Sequence, residues 1–160
     1  MHPHSYAQRL RLLAGVAMFT ALAPVAVAGD NGHAVPLLPQ YKRECDSCHV
    51  AYPPTLMPAA SWKRIMGNLP KHFGTDASLD PTTLKEISTW VNAHAGTYKR
   101  VNEEPPQDRI TRSAWFAREH REVSSATWKL PAVKSAANCG ACHTQAEKGD
   151  FNERNIRTPR

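Results

Sequence analysis

Two short motifs constrain this chain more than any other feature, because each sets two cysteines and one histidine at a fixed spacing. They are CDSCH at positions 45–49 and CGACH at positions 139–143. The residues concerned are Cys45, Cys48 and His49 in the first motif, and Cys139, Cys142 and His143 in the second. In a C-x-x-C-H motif the two thiols are spaced to add across the vinyl groups of one haem, and the histidine that follows reaches its iron. The sequence therefore predicts two haem c groups, both covalently bound.

Three other interpretations of the cysteines compete with haem attachment. A disulfide framework suits an exported chain, but it does not explain why a histidine follows each pair. A four-cysteine zinc site uses the C-x-x-C spacing, but the two pairs lie far apart in sequence for a zinc ribbon. A thioredoxin-type redox pair requires a βαβ context, which the sequence does not indicate.

The N-terminal segment has the pattern of a secretory signal peptide, which we predict to span residues 1–28. Arg9 and Arg11 precede an apolar run from 12 to 27, and the run ends in Ala-Val-Ala before Gly29. A membrane anchor is the alternative, but the run is short for a span and Pro24 interrupts it. Cleavage would release a soluble periplasmic protein with no stable membrane insertion.

Composition limits the size of the core and the kind of partner. The formal net charge is +6, and 13 prolines accompany a hydrophobic content of 41%. Two of the positive charges lie in the predicted leader, and haem propionates would offset more, so the charge does not indicate nucleic-acid binding. Two haems would supply much of the missing apolar volume, and we expect the apoprotein to be poorly folded.

The chain divides into two haem-binding halves joined by a polar segment. We predict a first half at 29–98, a linker at 99–108 and a second half at 109–160. The linker is polar and contains Pro105-Pro106, which is typical of a boundary. Residues 29–40 have no periodicity and are predicted to form a surface arm.

Apolar periodicity and capping residues predict short helices and no β-structure. Asp80 and Pro81 form a strong helix start, with Asp as N-cap and Pro in the first turn. Ser113 is a second predicted N-cap, and the charged tail 147–160 is expected to contribute little to a core. The predicted helices span 59–69, 81–94, 114–123 and 132–144.

The sixth ligand of each iron is the next question, since a second His, a Met or an empty site each implies different chemistry. Outside the leader, His33, His72, His94 and His120 remain once His49 and His143 are assigned. His72 lies in a loop beside Phe73 and Gly74, while His120 and His94 lie on apolar helix stripes. Met57 and Met66 are the thioether candidates, although Met66 belongs to the apolar face that contains Trp62. The residues alone favour His72 and His120 and leave His94 open.

The sequence resembles the small dihaem cytochromes c, a family encoded beside an oxygen-binding monohaem cytochrome and a membrane cytochrome b. Four blocks in order carry the resemblance, which covers nearly all of the chain after the leader: YKRECDSCHVAYPP, LMPAASWKRIMGNLPKHFGTDASL, RITRSAWFAREH and VKSAANCGACH. The resemblance implies a cytochrome c-like fold, mostly α with extensive loops, in which short helices pack around the two haems.

The same resemblance implies two low-spin haems, each bound by two histidines. It carries the distal roles onto His72 and His120, and not onto His94. We expect the sequence-local pairing, in which His49 pairs with His72 and His143 with His120. A membrane cytochrome b or quinol-linked protein is the implied electron donor, and a small haem protein the acceptor.

Two irons with both axial positions filled by protein have no site for a substrate. The sequence therefore predicts a periplasmic electron carrier rather than an enzyme. The alternative is a dihaem peroxidase-like or ligand-binding cytochrome, which needs one open haem site.

Overall fold

The computed structural model describes residues 35–160, and its regular structure is a set of short helices connected by turns. The predicted signal peptide and His33 lie outside these residues. No helix within 35–160 is long and apolar enough to cross a membrane. The helices are α1 (Pro39–Cys45), α2 (Ala59–Met66), α3 (Pro81–Ala93), α4 (Ala114–Glu119) and α5 (Ser125–Trp128).

The predicted fold class, mostly α with extensive loops, is confirmed. Between residues 35 and 160 the β-structure is limited to two isolated bridges, His72 with Thr75 and His143 with Ile156. Single turns of 3-10 helix connect the α-helices and make up much of the rest. Because each helix is short, its stability depends on packing rather than on its own length.

Helix α3 follows its sequence signals closely. The Asp80 carboxylate accepts hydrogen bonds from the backbone N–H groups of Thr82 and Thr83, and Pro81 occupies the first turn. The helix ends where the sequence predicts, with His94 at its C-terminal cap. Ile87 and Val91, on the predicted apolar stripe, are fully buried. The predicted cap and the predicted core face are both confirmed.

The core forms where α2 packs against α3, with the aromatic ring of Tyr41 from α1 in contact with both. Tyr41 of α1 meets Trp62 edge-on at 6.5 Å between ring centres and Trp90 at 5.2 Å. The buried indole of Trp62 donates to the carbonyl of Pro54 at 2.8 Å, so its one polar atom has a partner. The face predicted for α2 is buried in this core at Trp62, Met66 and Leu69.

Helix α1 begins inside the segment that the sequence predicts to be a surface arm. Pro39 lies in its first turn, where a missing N–H costs nothing. The helix has seven residues and buries only Tyr41, so there is little periodicity from which to predict it. It nevertheless places the first cysteine pair, because Cys45 is its last residue.

The predicted linker lies against α2. The guanidinium of Arg64 is 2.6 Å from a carboxylate oxygen of Glu104 and 2.6 Å from one of Asp108. The hydrogen bond from Arg64 holds the pKa of Asp108 below its usual range. Residues 99–108 therefore have their own contacts with the first half of the chain.

The helix that begins after Ser113 is shorter than predicted. The Ser113 hydroxyl accepts from the N–H of Phe116, which confirms the predicted N-cap. Helix α4 ends at Glu119, where His120 caps it, rather than at 123. Ser124 then caps α5, a single short helix that the sequence analysis does not predict.

The helix predicted at 132–144 is wrong. The segment forms turns, with Lys134 at a φ of 62° and one 3-10 turn at Cys139–Ala141. The Ser135 hydroxyl accepts from the N–H of Ala137, and the Asn138 side chain donates to the carbonyl of Val133. Such local side-chain bonds compete with helical hydrogen bonding, so this segment folds as a loop.

The charged tail also makes more contacts with the rest of the second half than the sequence predicts. Ala146 is 1% exposed, and both the N–H and the hydroxyl of Thr144 donate to the carbonyl of Asn155. The N–H of Arg157 donates to the carbonyl of Cys142 at 2.8 Å. The tail therefore folds back onto the second cysteine motif and holds its end in place.

Replacing Ile87 by Ala tests whether the contact between α2 and α3 is the centre of the core. The change removes a fully buried side chain, and we expect a loss of about 2–5 kcal/mol in the free energy of unfolding. The neighbouring exposed Glu86→Ala is the matched control, with an effect within about 0.5 kcal/mol. Denaturant unfolding of the haem-loaded protein measures both, and equal effects would contradict this account of the core.

Candidate functional site

The first histidine pair is His49 and His72, whose ring centres lie 6.2 Å apart with planes inclined at 23°. His49 follows the turn after α1, and His72 follows the 3-10 turn Leu69–Lys71. Phe73, at a φ of 50°, and Gly74, at 101°, reverse the chain immediately afterwards. This tight turn presents His72 opposite the first cysteine motif.

The second pair is His120 and His143, with ring centres 6.1 Å apart and planes inclined at 68°. The ring of His120 stacks on Phe116 at 4.0 Å between centres. The ring of His143 lies 5.2 Å from that of Phe151 in the tail. Helix α4 thus supplies one histidine of the pair and the second cysteine motif supplies the other.

Both separations fit one metal ion held between two imidazoles. A bond from a metal ion to an imidazole nitrogen is about 2 Å long, so two rings on opposite sides of one ion have centres about 6 Å apart. The two pairs, at 6.2 and 6.1 Å, both have this spacing. They are also the two pairs that the sequence analysis expects, His49 with His72 and His120 with His143.

Backbone carbonyls set the proton position on one ring of each pair. The Nδ1 atom of His49 lies 2.7 Å from the carbonyl oxygen of Val50, and that of His120 lies 2.9 Å from the oxygen of Phe116. A carbonyl oxygen can only accept, so Nδ1 carries the proton in the neutral ring. The Nε2 lone pair of each ring is then free to bind a metal ion.

The surroundings of the other ring in each pair disfavour its protonated form. Burial lowers the pKa of His72, with smaller contributions from His49 and Arg109. Burial also lowers the pKa of His143, with His120 acting in the same direction. A metal ligand must be neutral imidazole, so these shifts favour ligation.

One nitrogen of the second pair has no partner within the polypeptide. The Nδ1 atom of His143 is buried and makes no hydrogen bond to any residue in the described range 35–160. Leaving a buried polar atom unpaired costs free energy. A ring of this kind is typical of a site completed by a group outside the polypeptide.

No disulfide joins the four cysteines, and the surroundings of Cys45 and Cys139 disfavour a thiolate. Burial raises the pKa of Cys45 to about 12, with the carboxylates of Glu44 and Asp46 adding to the effect. Burial likewise raises the pKa of Cys139 to about 11. A thioredoxin-type redox pair depends on a lowered thiol pKa, so the structure argues against that interpretation.

The geometry also argues against a zinc site. Within the described residues, no three His, Cys, Asp or Glu side chains converge on a point that could hold a bare metal ion. The two cysteine motifs do approach each other, because Cys48 and Cys139 border the same cleft of about 330 Å³. Each motif is accompanied by its own histidine pair rather than sharing one four-cysteine centre.

Three other ligand candidates, His94, Met57 and Met66, have contacts of a different kind. The ring of His94 packs on Trp90 at 5.1 Å, and its Nδ1 is 2.8 Å from the Trp90 carbonyl oxygen. Met57 and Met66 are 2% and 6% exposed and belong to the hydrophobic core.

Two aromatic residues beside the histidine pairs, Tyr52 and Phe151, were not predicted from the sequence. Tyr52 stacks on His49 at 4.6 Å with an inclination of 14°, and Phe151 packs on His143. Tyr52 follows the first motif within three residues, which was the only available signal. For Phe151 the sequence offers none, since it lies in a charged tail with no periodicity.

Comparison with known proteins agrees with this arrangement. The structure is similar to the dihaem cytochrome type c of Shewanella baltica OS155, with 38% identity over 78% of this chain and 95% of that one, at a TM-score of 0.68. It is also similar to the DHC purified from Rhodobacter sphaeroides, with 42% identity over 73% of this chain and 99% of that one, at 0.63. No curated protein sequence matches the chain significantly.

The dihaem cytochrome c family model matches residues 41–151, which include both cysteine motifs and both histidine pairs. The match covers more than half of the chain, and the solved structures agree with it. The two C-x-x-C-H motifs fit the covalent attachment of haem c. The chain therefore belongs to the dihaem cytochrome c family and carries two haem c groups.

Proposed function

We propose that this protein is an electron carrier in which both haems are six-coordinate, one bound by His49 and His72 and the other by His143 and His120. The family implies haem-based electron transfer, and the ligand assignment is the finer step proposed here. The observation that carries it is the spacing of the two ring pairs, 6.2 and 6.1 Å between centres. Each spacing matches one ion between two imidazole nitrogens.

The polypeptide's part in this function is to bind, orient and enclose. When bound, each haem supplies a one-electron ferric/ferrous couple. The carbonyls of Val50 and Phe116 hold the Nδ1 protons of His49 and His120, which would leave the Nε2 lone pair of each ring to bind the iron. The cysteines attach the porphyrin edges, so neither haem depends on its axial bonds alone to stay in place.

The absence of an open coordination position makes the protein a carrier rather than an enzyme in this proposal. With two histidines on each iron, a substrate such as peroxide has no direct access to the metal. The side chains that would enclose each haem would then form the route by which electrons enter and leave. A dihaem peroxidase-like or ligand-binding cytochrome would need one of the two pairs to be incomplete.

The proposed location and partners follow from the sequence and the resemblance. The predicted signal peptide at 1–28 supports export to the periplasm. The resemblance supports a membrane cytochrome b or quinol-linked protein as electron donor and a small haem protein as acceptor. Purified candidates for donor and acceptor can be mixed with the haem-loaded protein and followed by stopped-flow absorbance.

Replacing one distal histidine should open one haem and leave the other unchanged. His72→Ala should turn the first haem high-spin, and His120→Ala the second, because each ring completes a separate coordination shell. Each variant should also bind carbon monoxide at one haem per chain in the reduced state. Absorption and electron paramagnetic resonance (EPR) spectra measure both effects.

His94→Ala is the matched control for these two variants. His94 packs on Trp90 and is not a ligand in the proposal, so both haems should stay low-spin. If His94→Ala produces a high-spin haem while His72→Ala or His120→Ala does not, the ligand assignment is wrong.

Neither haem should have a methionine ligand. Met57 and Met66 lie in the core, so the near-infrared charge-transfer band of a thioether–iron bond should be missing from the oxidised protein. Met66→Leu conserves volume and should cost less than about 1.5 kcal/mol of unfolding free energy while leaving both haem spectra intact. A thioether band that disappears in Met57→Leu or Met66→Leu would identify a methionine ligand and refute the proposal.

A further inference from the structure

The two cysteine motifs meet directly at one cleft of about 330 Å³. Val50, next to His49, lies against the backbone of Gly140, since a Cβ atom placed there would be 3.9 Å from a methyl carbon of Val50. The residues bordering the cleft come from both motifs and from positions next to them, and include Cys48, His49 and Val50 on one side and Ala137, Asn138 and Cys139 on the other.

Tyr52 joins the two sides of this cleft. Its ring lies parallel to the ring of His49, at 4.6 Å between centres and an inclination of 14°. Its hydroxyl donates to the carbonyl of Ala137 at 2.7 Å, two residues before Cys139. Its own carbonyl accepts from the hydroxyl of Tyr41 at 2.8 Å, which anchors this segment to the core.

The hydrogen bond from the Tyr52 hydroxyl to the carbonyl of Ala137 fixes the far end of the ring. The stack and the hydrogen bond therefore act on the same side chain from opposite ends.

We propose that Tyr52 is a positioning residue that fixes the ring plane of His49 and holds the second cysteine motif against the first. The proposal rests on the ligation of the first haem by His49 and His72. Rotation of the His49 ring about its Nε2 bond would break both the stack with Tyr52 and the hydrogen bond to Val50. Tyr52 therefore helps to maintain the small inclination of 23° between His49 and His72.

The EPR signal of a low-spin haem in the oxidised protein depends on this inclination. The angle between two axial imidazoles sets the splitting of the iron d orbitals, so the 23° pair and the 68° pair should give different low-spin signals. Tyr52→Leu removes the stack and should shift the signal of the first haem toward greater anisotropy. The signal of the second haem should not move. Tyr52→Phe keeps the ring and should leave both signals unchanged.

Hydrogen exchange tests the bond to Ala137 separately. Tyr52→Phe removes the hydroxyl, so the backbone amides of residues 135–139 should exchange faster than in the original protein. Thr89→Val is the control, because it loses a hydroxyl-to-carbonyl bond of 2.8 Å, to Lys85 within α3, that does not involve Tyr52. It should leave exchange at 135–139 unchanged.

The proposal is overturned if Tyr52→Leu leaves the first signal in place or shifts both signals alike, or if Tyr52→Phe and Thr89→Val have the same effect at 135–139. His72→Ala assigns the first signal, because that haem alone should become high-spin. If His72→Ala leaves both haems low-spin, the proposed function has failed rather than the role of Tyr52. Should Tyr52→Leu yield no haem-loaded protein, Tyr52→Met tests the stack with a longer flexible side chain, and Tyr52→Phe still tests the hydrogen bond.

Discussion

The rest of the structure depends on two pairs of imidazole rings in a chain with a small core. The ring centres of each pair are held about 6 Å apart. Each pair joins segments that are separate in sequence: a cysteine motif to the turn at His72, and a cysteine motif to the end of α4 at His120. Few of the surrounding helices are long enough to be stable alone. A group that binds only the folded arrangement stabilises it, so haem attachment and folding are expected to be closely coupled.

The two halves are joined by polar contacts as well as by the chain. Tyr52 donates to Ala137 across the cleft, and the Lys42 ammonium donates to the carbonyl of Glu147 at 2.9 Å. The C-terminal tail closes on the second motif through the bond from Arg157 to Cys142. The two histidine pairs also differ in inclination, 23° against 68°, so the sites are not equivalent although they share one motif.

Sequence patterns predicted the features that depend on local chemistry. The cap at Asp80, the cap at Ser113 and the buried stripe with Ile87 and Val91 follow from side-chain type and spacing alone. Haem attachment follows from the C-x-x-C-H spacing for the same reason. The wrong helix at 132–144 arose because Ser135 and Asn138 bond locally to the backbone, which apolar periodicity does not register. The hydrogen bond from Tyr52 to Ala137 joins residues 85 positions apart in sequence, and no local pattern encodes such a contact.

The most direct test of the central claim is EPR spin quantitation on the oxidised, fully haem-loaded protein at neutral pH. Two bis-histidine irons predict two low-spin signals that together account for two spins per chain, without a high-spin component. A high-spin signal that integrates to one haem per chain would contradict the account, because one of the two histidine pairs would then not be a ligand pair.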